Sequence, residues 1–307
     1  WAETQNMLGI AYKERITGNK TENLELAITA FQQVLLVYTQ TNFPIEWARI
    51  QKILGFAYIG RSTGNKAENI EFAITAFQQV LLVYTKTNFP MKWAETQNML
   101  GLAYSGRIRG KKAENLEFAI AAYQQALLVY TQTDLPIQWA MTQNMLGFAY
   151  IERITGNKAE NIELAITTLQ QALLVRTQTN FPIDWAQTQN NLGLAYNNRI
   201  RGNKAENIES AIAAFQQVLL VYTQTNFPME WAMTQNSLGL AYNNRIRGNK
   251  AENIESAIAA FQQVLLVCTQ TDFPIDWAGT QNNLGAAYSD RIRGDKAQNI
   301  EAAIAAY

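Results

Sequence analysis

Apolar residues at the start of the chain recur at helical spacing: Trp1, Leu8, Tyr12 and Ile16 share one side of a 3.6-residue helix. The run stops at Gly18, a residue type that ends helices. Asn19 follows with Glu22 three residues later, a capping-box pattern in which each side chain can satisfy a free backbone N–H of a first helical turn. A second helical stripe opens there, formed by Leu24, Ala27, Ile28, Phe31, Leu35 and Tyr38. Residues 39–43 make a short connector, and Pro44, whose fixed φ suits a first helical turn, begins the next element. The pattern predicts two helices, A and B, each about 18 residues or roughly 27 Å long.

The whole pattern returns every 46 residues. Trp stands at Trp1, Trp47, Trp93, Trp139, Trp185, Trp231 and Trp277, and the six Pro keep the same spacing from Pro44 to Pro274. No insertion or deletion interrupts it, so the chain divides into repeats 1–46, 47–92, 93–138, 139–184, 185–230, 231–276 and a partial 277–307. A lone hairpin with an apolar stripe on each helix cannot bury both, so the copies must lean on one another in a single array. Lys111 departs from the pattern by standing where the capping Asn of the other full repeats stands. Gly9 and its counterparts Gly55, Gly101, Gly147, Gly193, Gly239 and Gly285 sit inside helix A, where Gly costs about 1 kcal/mol relative to Ala. Close approach of helix B at that point is the expected reason.

These residues resemble the tetratricopeptide repeat family. Leu8, Gly9 and Tyr12 lie on the first helix, Ala27 and Phe31 on the second, and Pro44 closes the unit; Leu169, Tyr123 and Tyr307 substitute for the Phe. The usual family unit is about 34 residues, so this is a long form. Its TQNxLGxAYxxRIxG core is similar to arrays in large multidomain cyanobacterial proteins, some of which carry a caspase-like CHAT peptidase domain. The resemblance implies an all-α, right-handed superhelical α-solenoid of helix-turn-helix repeats. It also implies a concave groove, lined mainly by A helices, that receives peptides or protein partners.

Composition narrows the chemistry. There is no His and one Cys, which removes zinc sites, Ser/His triads and internal disulfides. The carboxylates repeat alike in every copy, so none is singled out for acid–base work, and neither enzyme activity nor a cofactor is expected. Lys plus Arg equals Asp plus Glu at 25 each, leaving no dominant field for nucleic acid or anionic lipid. Apolar runs such as VLLVY are far short of a membrane span. A soluble, cytoplasmic protein is the expectation. The chain opens on Trp1 and not Met, which suggests a segment of something longer. Arg15, Lys20, Glu22, Glu25 and their counterparts read as surface ion pairs and caps, and Cys268, in the slot of Tyr38 and Tyr222, as a small apolar substitute.

Comparing the repeats with one another locates a candidate site. Variation on helix A concentrates at positions three, seven, ten, thirteen and fourteen, one helical face that the family resemblance assigns to the groove. The first four repeats place Met7, Ile10, Ile53, Phe56, Ile59, Met99, Leu102, Met145, Phe148 and Ile151 there; the later ones place Asn191, Asn197, Asn198, Ser237, Asn243, Asn244 and Asn283. An apolar stripe of this kind suits an amphipathic helix or apolar peptide side chains, or else packs against the adjoining A helix. Beside it runs a row of amides, Asn6, Asn98, Asn144, Asn190, Asn236 and Asn282, with Lys52 in the second repeat. The row can pair with the backbone of an extended peptide, or bond a neighbouring helix to fix stacking register. Two functions stay open: a scaffold binding protein or peptide in the groove, and a self-assembling chain that stacks end to end into filaments. A third is the sensor arm of an effector whose enzyme lies outside this chain.

Overall fold

Fourteen α-helices, and no strand, make up the regular structure of the computed structural model, which describes residues 1–307. The helices are α1 Ala2–Glu14, α2 Lys20–Val34, α3 Pro44–Ile59, α4 Lys66–Leu81, α5 Pro90–Ser105, α6 Lys112–Ala126, α7 Pro136–Glu152, α8 Lys158–Leu173, α9 Pro182–Asn197, α10 Lys204–Val218, α11 Pro228–Asn243, α12 Lys250–Val264, α13 Pro274–Ser289 and α14 Lys296–Ala306. Odd-numbered helices are the A helices and even-numbered ones the B helices. They fall into two compact units, Trp1–Thr155 and Gly156–Tyr307, divided between the helices of the fourth repeat.

The starts of the helices follow their sequence signals. Pro opens every A helix from α3 onward, and the Asn19 side chain accepts the backbone N–H groups of Thr21 and Glu22 at the head of α2. At Lys111 no side chain caps α6. The ends come sooner than the apolar pattern suggests, since the helices run 11 to 17 residues where about 18 were expected. Ile16 therefore lies outside helix A and is 98% exposed. Tyr38 likewise sits beyond helix B, after a tighter turn in which Leu36 N–H reaches Gln33 O at 3.2 Å and Val37 N–H reaches Val34 O at 3.0 Å. Gly18 is not the stop itself; it turns the chain toward helix B with φ +82°, a conformation that favours Gly.

Within each unit the hairpins α1–α2, α3–α4, α5–α6, α9–α10, α11–α12 and α13–α14 close over a small-to-large contact. A Cβ built on Gly55 would stand 2.5 Å from Cε1 of Phe77, and one on Gly239 would stand 2.6 Å from Cε1 of Phe261. The mid-helix Gly thus makes room for an aromatic ring from helix B, not for the helix B backbone. Leu54, Leu100, Leu192, Leu238 and Leu284 are buried in the layers between A and B helices.

Two polar links tie each repeat to the next and a third braces the turn within it, and all use residues that every copy keeps. Arg107 Nε and Nη2 grip both oxygens of Glu71 in the preceding repeat at 2.8 and 2.9 Å, and Arg61–Glu25, Arg153–Glu117, Arg199–Glu163, Arg245–Glu209 and Arg291–Glu255 repeat the fork. The hydrogen bond from Arg holds each of these carboxyls below its ordinary value. These ion pairs bridge successive repeats. Glu22-type residues likewise reach across, as in Arg109–Glu68, Arg247–Glu206 and Arg293–Glu252. A second link runs from Gln32 Nε2 to the Tyr58 hydroxyl at 3.0 Å, recurring as Gln78–Tyr104 and Gln216–Tyr242. The third is a buried Asn: Asn115 Nδ2 donates to the carbonyls of Arg107 and Arg109, while its Oδ1 accepts from Arg107 Nη1. It holds the A–B turn in the shape that aims the arginine.

Candidate partner-binding face

With those polar groups engaged in stacking, the face left variable on helix A is where recognition chemistry can differ from copy to copy. In the first unit this face belongs to α1, α3, α5 and α7. Met7 is 62% exposed, Phe56 37%, Leu102 39% and Phe148 42%. Phe56 stands on edge against Phe77 with centroids 5.6 Å apart, so one side of its ring is anchored while the other faces outward. Ile59 is also exposed.

The rest of the apolar stripe lies deeper. Ile10 and Ile53 pack against the core around Phe31 and Ile50, Met99 packs against the layer of Phe77 and Leu100, Met145 is half-buried, and Ile151 is buried. Position seven therefore serves packing in the second and third repeats, while position ten supplies the outward-facing groups.

The amide row departs from the expected ladder. Asn6, Asn98 and Asn144 are buried, Asn190 and Asn236 are half-buried, and Asn282 is exposed. Asn98 Nδ2 donates to Thr142 Oγ1 at 2.7 Å on the next A helix, and Thr142 donates in turn to Gln138 O at 2.8 Å. In the second unit Asn283 Nδ2 donates to Asn236 Oδ1 at 3.1 Å, again between A helices. The buried Asn98 amide ties neighbouring A helices together, and Asn6, Asn98 and Asn144 are all buried from solvent. Asn191 is also buried, which removes it from the polar half of the groove. Lys52 does not add free positive charge, because its Nζ pairs with both carboxylate oxygens of Glu95 at 3.0 and 3.1 Å. That pairing neutralises the one cation placed to grip a peptide carboxylate at the amide position.

No group of three or more His, Cys, Asp or Glu is placed to hold a metal ion, and no helix is long and apolar enough to cross a membrane. Cys268 is buried, and burial, together with the nearby Asp276 charge, pushes its thiol up from the ordinary value. Such a thiol is a poor nucleophile.

No family model matches the chain, and no curated protein matches it. Solved structures do. The APC/C hetero-tetramer Cut9–Hcn1 aligns at TM-score 0.54 and 19% identity over 99% of this chain, which spans about half (49%) of that one. PilW, a widely conserved type IV pilus biogenesis factor, aligns at TM-score 0.54 and 14% identity, covering 89% of this chain and 94% of its own. The apo form of RapI aligns at TM-score 0.60 and 14% identity, covering 99% and 85%. All three are tetratricopeptide-repeat structures. They establish the fold: an all-α array of tetratricopeptide-type hairpins.

Proposed function

We propose that this tetratricopeptide-type array is a protein-interaction scaffold whose A-helix face, in the first unit, receives an apolar segment of a partner. The observation that carries the reading is the outward row of Met7, Phe56, Leu102 and Phe148 on successive A helices. Solvent-facing Phe and Met side chains are polarizable, adaptable contacts for a helix that presents apolar residues at i, i+3, i+4 and i+7. The Arg–Glu and Gln–Tyr links that recur in every copy join the repeats without using this row, so it can vary without loosening the stack.

The test is selection from a displayed library of peptides of about 20 residues, followed by affinity measurement. Enriched peptides should carry apolar residues at helical spacing. Replacing Phe56 and Phe148 together by Asp should weaken them at least tenfold, about 1.4 kcal/mol, with far-UV helicity unchanged. Equal binding by the double variant with helicity intact would sink the proposal.

A further inference from the structure

The residue that follows the turn after helix B tells a separate story. It is Tyr38, Tyr84, Tyr130, Arg176, Tyr222 and then Cys268. In the second unit Arg176, only 7% exposed, fills the space between this turn and the next A helix. Its Nη1 donates to Thr188 Oγ1 at 3.1 Å and to Gln187 Oε1 and Asp184 O at 3.4 Å, and its Nη2 lies 3.2 Å from Asp184 Oδ1. Tyr222, at the same position one repeat later, turns instead to the preceding A helix, its hydroxyl donating to Ile183 O at 3.2 Å.

The next copy keeps the receptor and loses the side chain. Asp276 and Thr280 match Asp184 and Thr188, while Cys268 stands for the arginine and Gly279 for Gln187. A Cβ on Gly279 would meet nothing within 4 Å. The two short residues leave a cavity of about 310 Å³ opening on α9, α11 and α13. Ala232, Val264 and Cys268 form its apolar wall, and Asp276, Thr280 and Asn190 its polar one. Asn236, Ser237 and Asn283 complete the polar lining, the two amides bonded to each other and Ser237 donating to Met233 O; of the acceptors facing Asp276, Asn190 Oδ1 has no hydrogen-bond partner and Thr280 has already given its proton to Asp276 O at 2.7 Å. The Asp276 carboxylate is in no ion pair, and it sits in the first turn of α13, where its charge offsets the positive helix end.

We propose that this cavity is a receptor for a guanidinium group, and that it takes the side chain of an arginine in a bound polypeptide. A guanidinium brings five donors and no acceptor, in a planar fork that matches a carboxylate flanked by acceptor oxygens, and its propyl stem suits the apolar wall. A lysine ammonium is a more strongly hydrated point charge, and a tyrosine hydroxyl supplies one donor; both match the acceptors less well. The inference rests on the reading that partners dock on A helices. It is tested without Phe56, Phe148 or any protein partner, so the two readings can fail separately.

The experiment is ¹H–¹⁵N NMR titration of chain 1–307 with Nα-acetyl-arginine amide, the corresponding lysine and tyrosine amides, a Gly-Arg-Gly peptide and methylguanidine. Saturable shifts centred on Cys268, Gly279 and Thr280 are expected with arginine, at least tenfold tighter than with lysine or tyrosine. Cys268→Arg should abolish them, its own side chain taking the place that Arg176 takes in its copy, and Asp276→Asn should weaken them at least threefold. Tighter binding of the peptide than of methylguanidine supports a polypeptide source, and the reverse order overturns it. Preference for the tyrosine amide, or full binding by both variants, overturns the receptor.

Discussion

Replacing Gly239 by Ala puts the small-to-large contact to a quantitative test. The new Cβ would stand 2.6, 2.8 and 2.9 Å from three carbons of the Phe261 ring, where optimal carbon–carbon separation is about 3.5–4.0 Å. The ring must retreat by roughly 1 Å. It has nowhere to go, since Phe261 is 1% exposed within a layer that includes Ile254, Ile258 and Leu284. Overpacking of this kind costs about 1–3 kcal/mol, and the gain from Ala in a helix returns about 1 kcal/mol. The net change is a loss of about 0–2 kcal/mol, or at most roughly 4–8 °C in unfolding midpoint for a unit of about 150 residues. Gly279→Ala is the internal control. It lies in α13 with open space around the new methyl, so the same chemical change should stabilise by about 0.4–1 kcal/mol. Phe261→Leu, a residue already used at Leu169, should relieve Gly239→Ala with a coupling of about 1 kcal/mol. The assay is urea unfolding followed by far-UV circular dichroism. If both Ala variants shift the midpoint in the same direction, the ring is not what keeps Gly239 a glycine.

Two further outcomes follow from the links between repeats. The hydrogen bond from Arg holds Glu71, Glu163, Glu209 and their counterparts below the ordinary carboxyl value of 4.5, so the folded state binds these protons more weakly than the unfolded one. Their contribution is present above that value and lost as pH falls through the lower folded values, so the urea midpoint should be flat down to about pH 5 and drop steeply below about pH 4; an equally steep drop after Arg199→Lys and Arg245→Lys would refute the assignment. Asn207→Ala removes a buried amide that bonds two carbonyls and Arg199, and should cost about 1–3 kcal/mol by the same unfolding assay.

Period, helix order and fold type were legible because the copies share one spacing and the stripes have helical periodicity. What misled was an apolar residue just past a helix end: Ile16 and Tyr38 continue a stripe on paper, yet Ile16 is in the turn and Tyr38 packs its ring on Phe43 at 5.2 Å. The ion pairs were legible as types but not as partners, since Arg107 and Glu71 lie 36 residues apart in sequence and belong to different copies. Asn115 and its kin escaped notice because a polar residue beside a stripe reads as surface. Their identity in all seven repeats was the available signal, since an exposed Asn has no reason to be so uniform. On the candidate face, the sequence marks one helix side but not the depth of each residue. Whether Met99 or Leu102 faces outward depends on how closely the next helix packs, which no single repeat encodes.

The division between uniform and drifting positions also explains how a stacked array can acquire a binding site. Three sets of polar residues that recur without change are engaged in links: Arg to Glu, Gln to Tyr, Asn to the turn carbonyls. A change in either of the first two breaks contacts across a boundary, and in a quasi-linear array that loss has no distant contact to absorb it. The third position of helix A and the residue after helix B take part in none of those three links. Substitution there is cheap, so tyrosine, arginine and cysteine alternate after helix B while the links stay the same. A single short residue only thins the wall; Cys268 and Gly279 are neighbours across one boundary, and together they convert a filled joint into a cavity. On the two proposals made above, specificity in such a chain is carried by departures from the repeat, and the places to look for it are boundaries where two departures coincide.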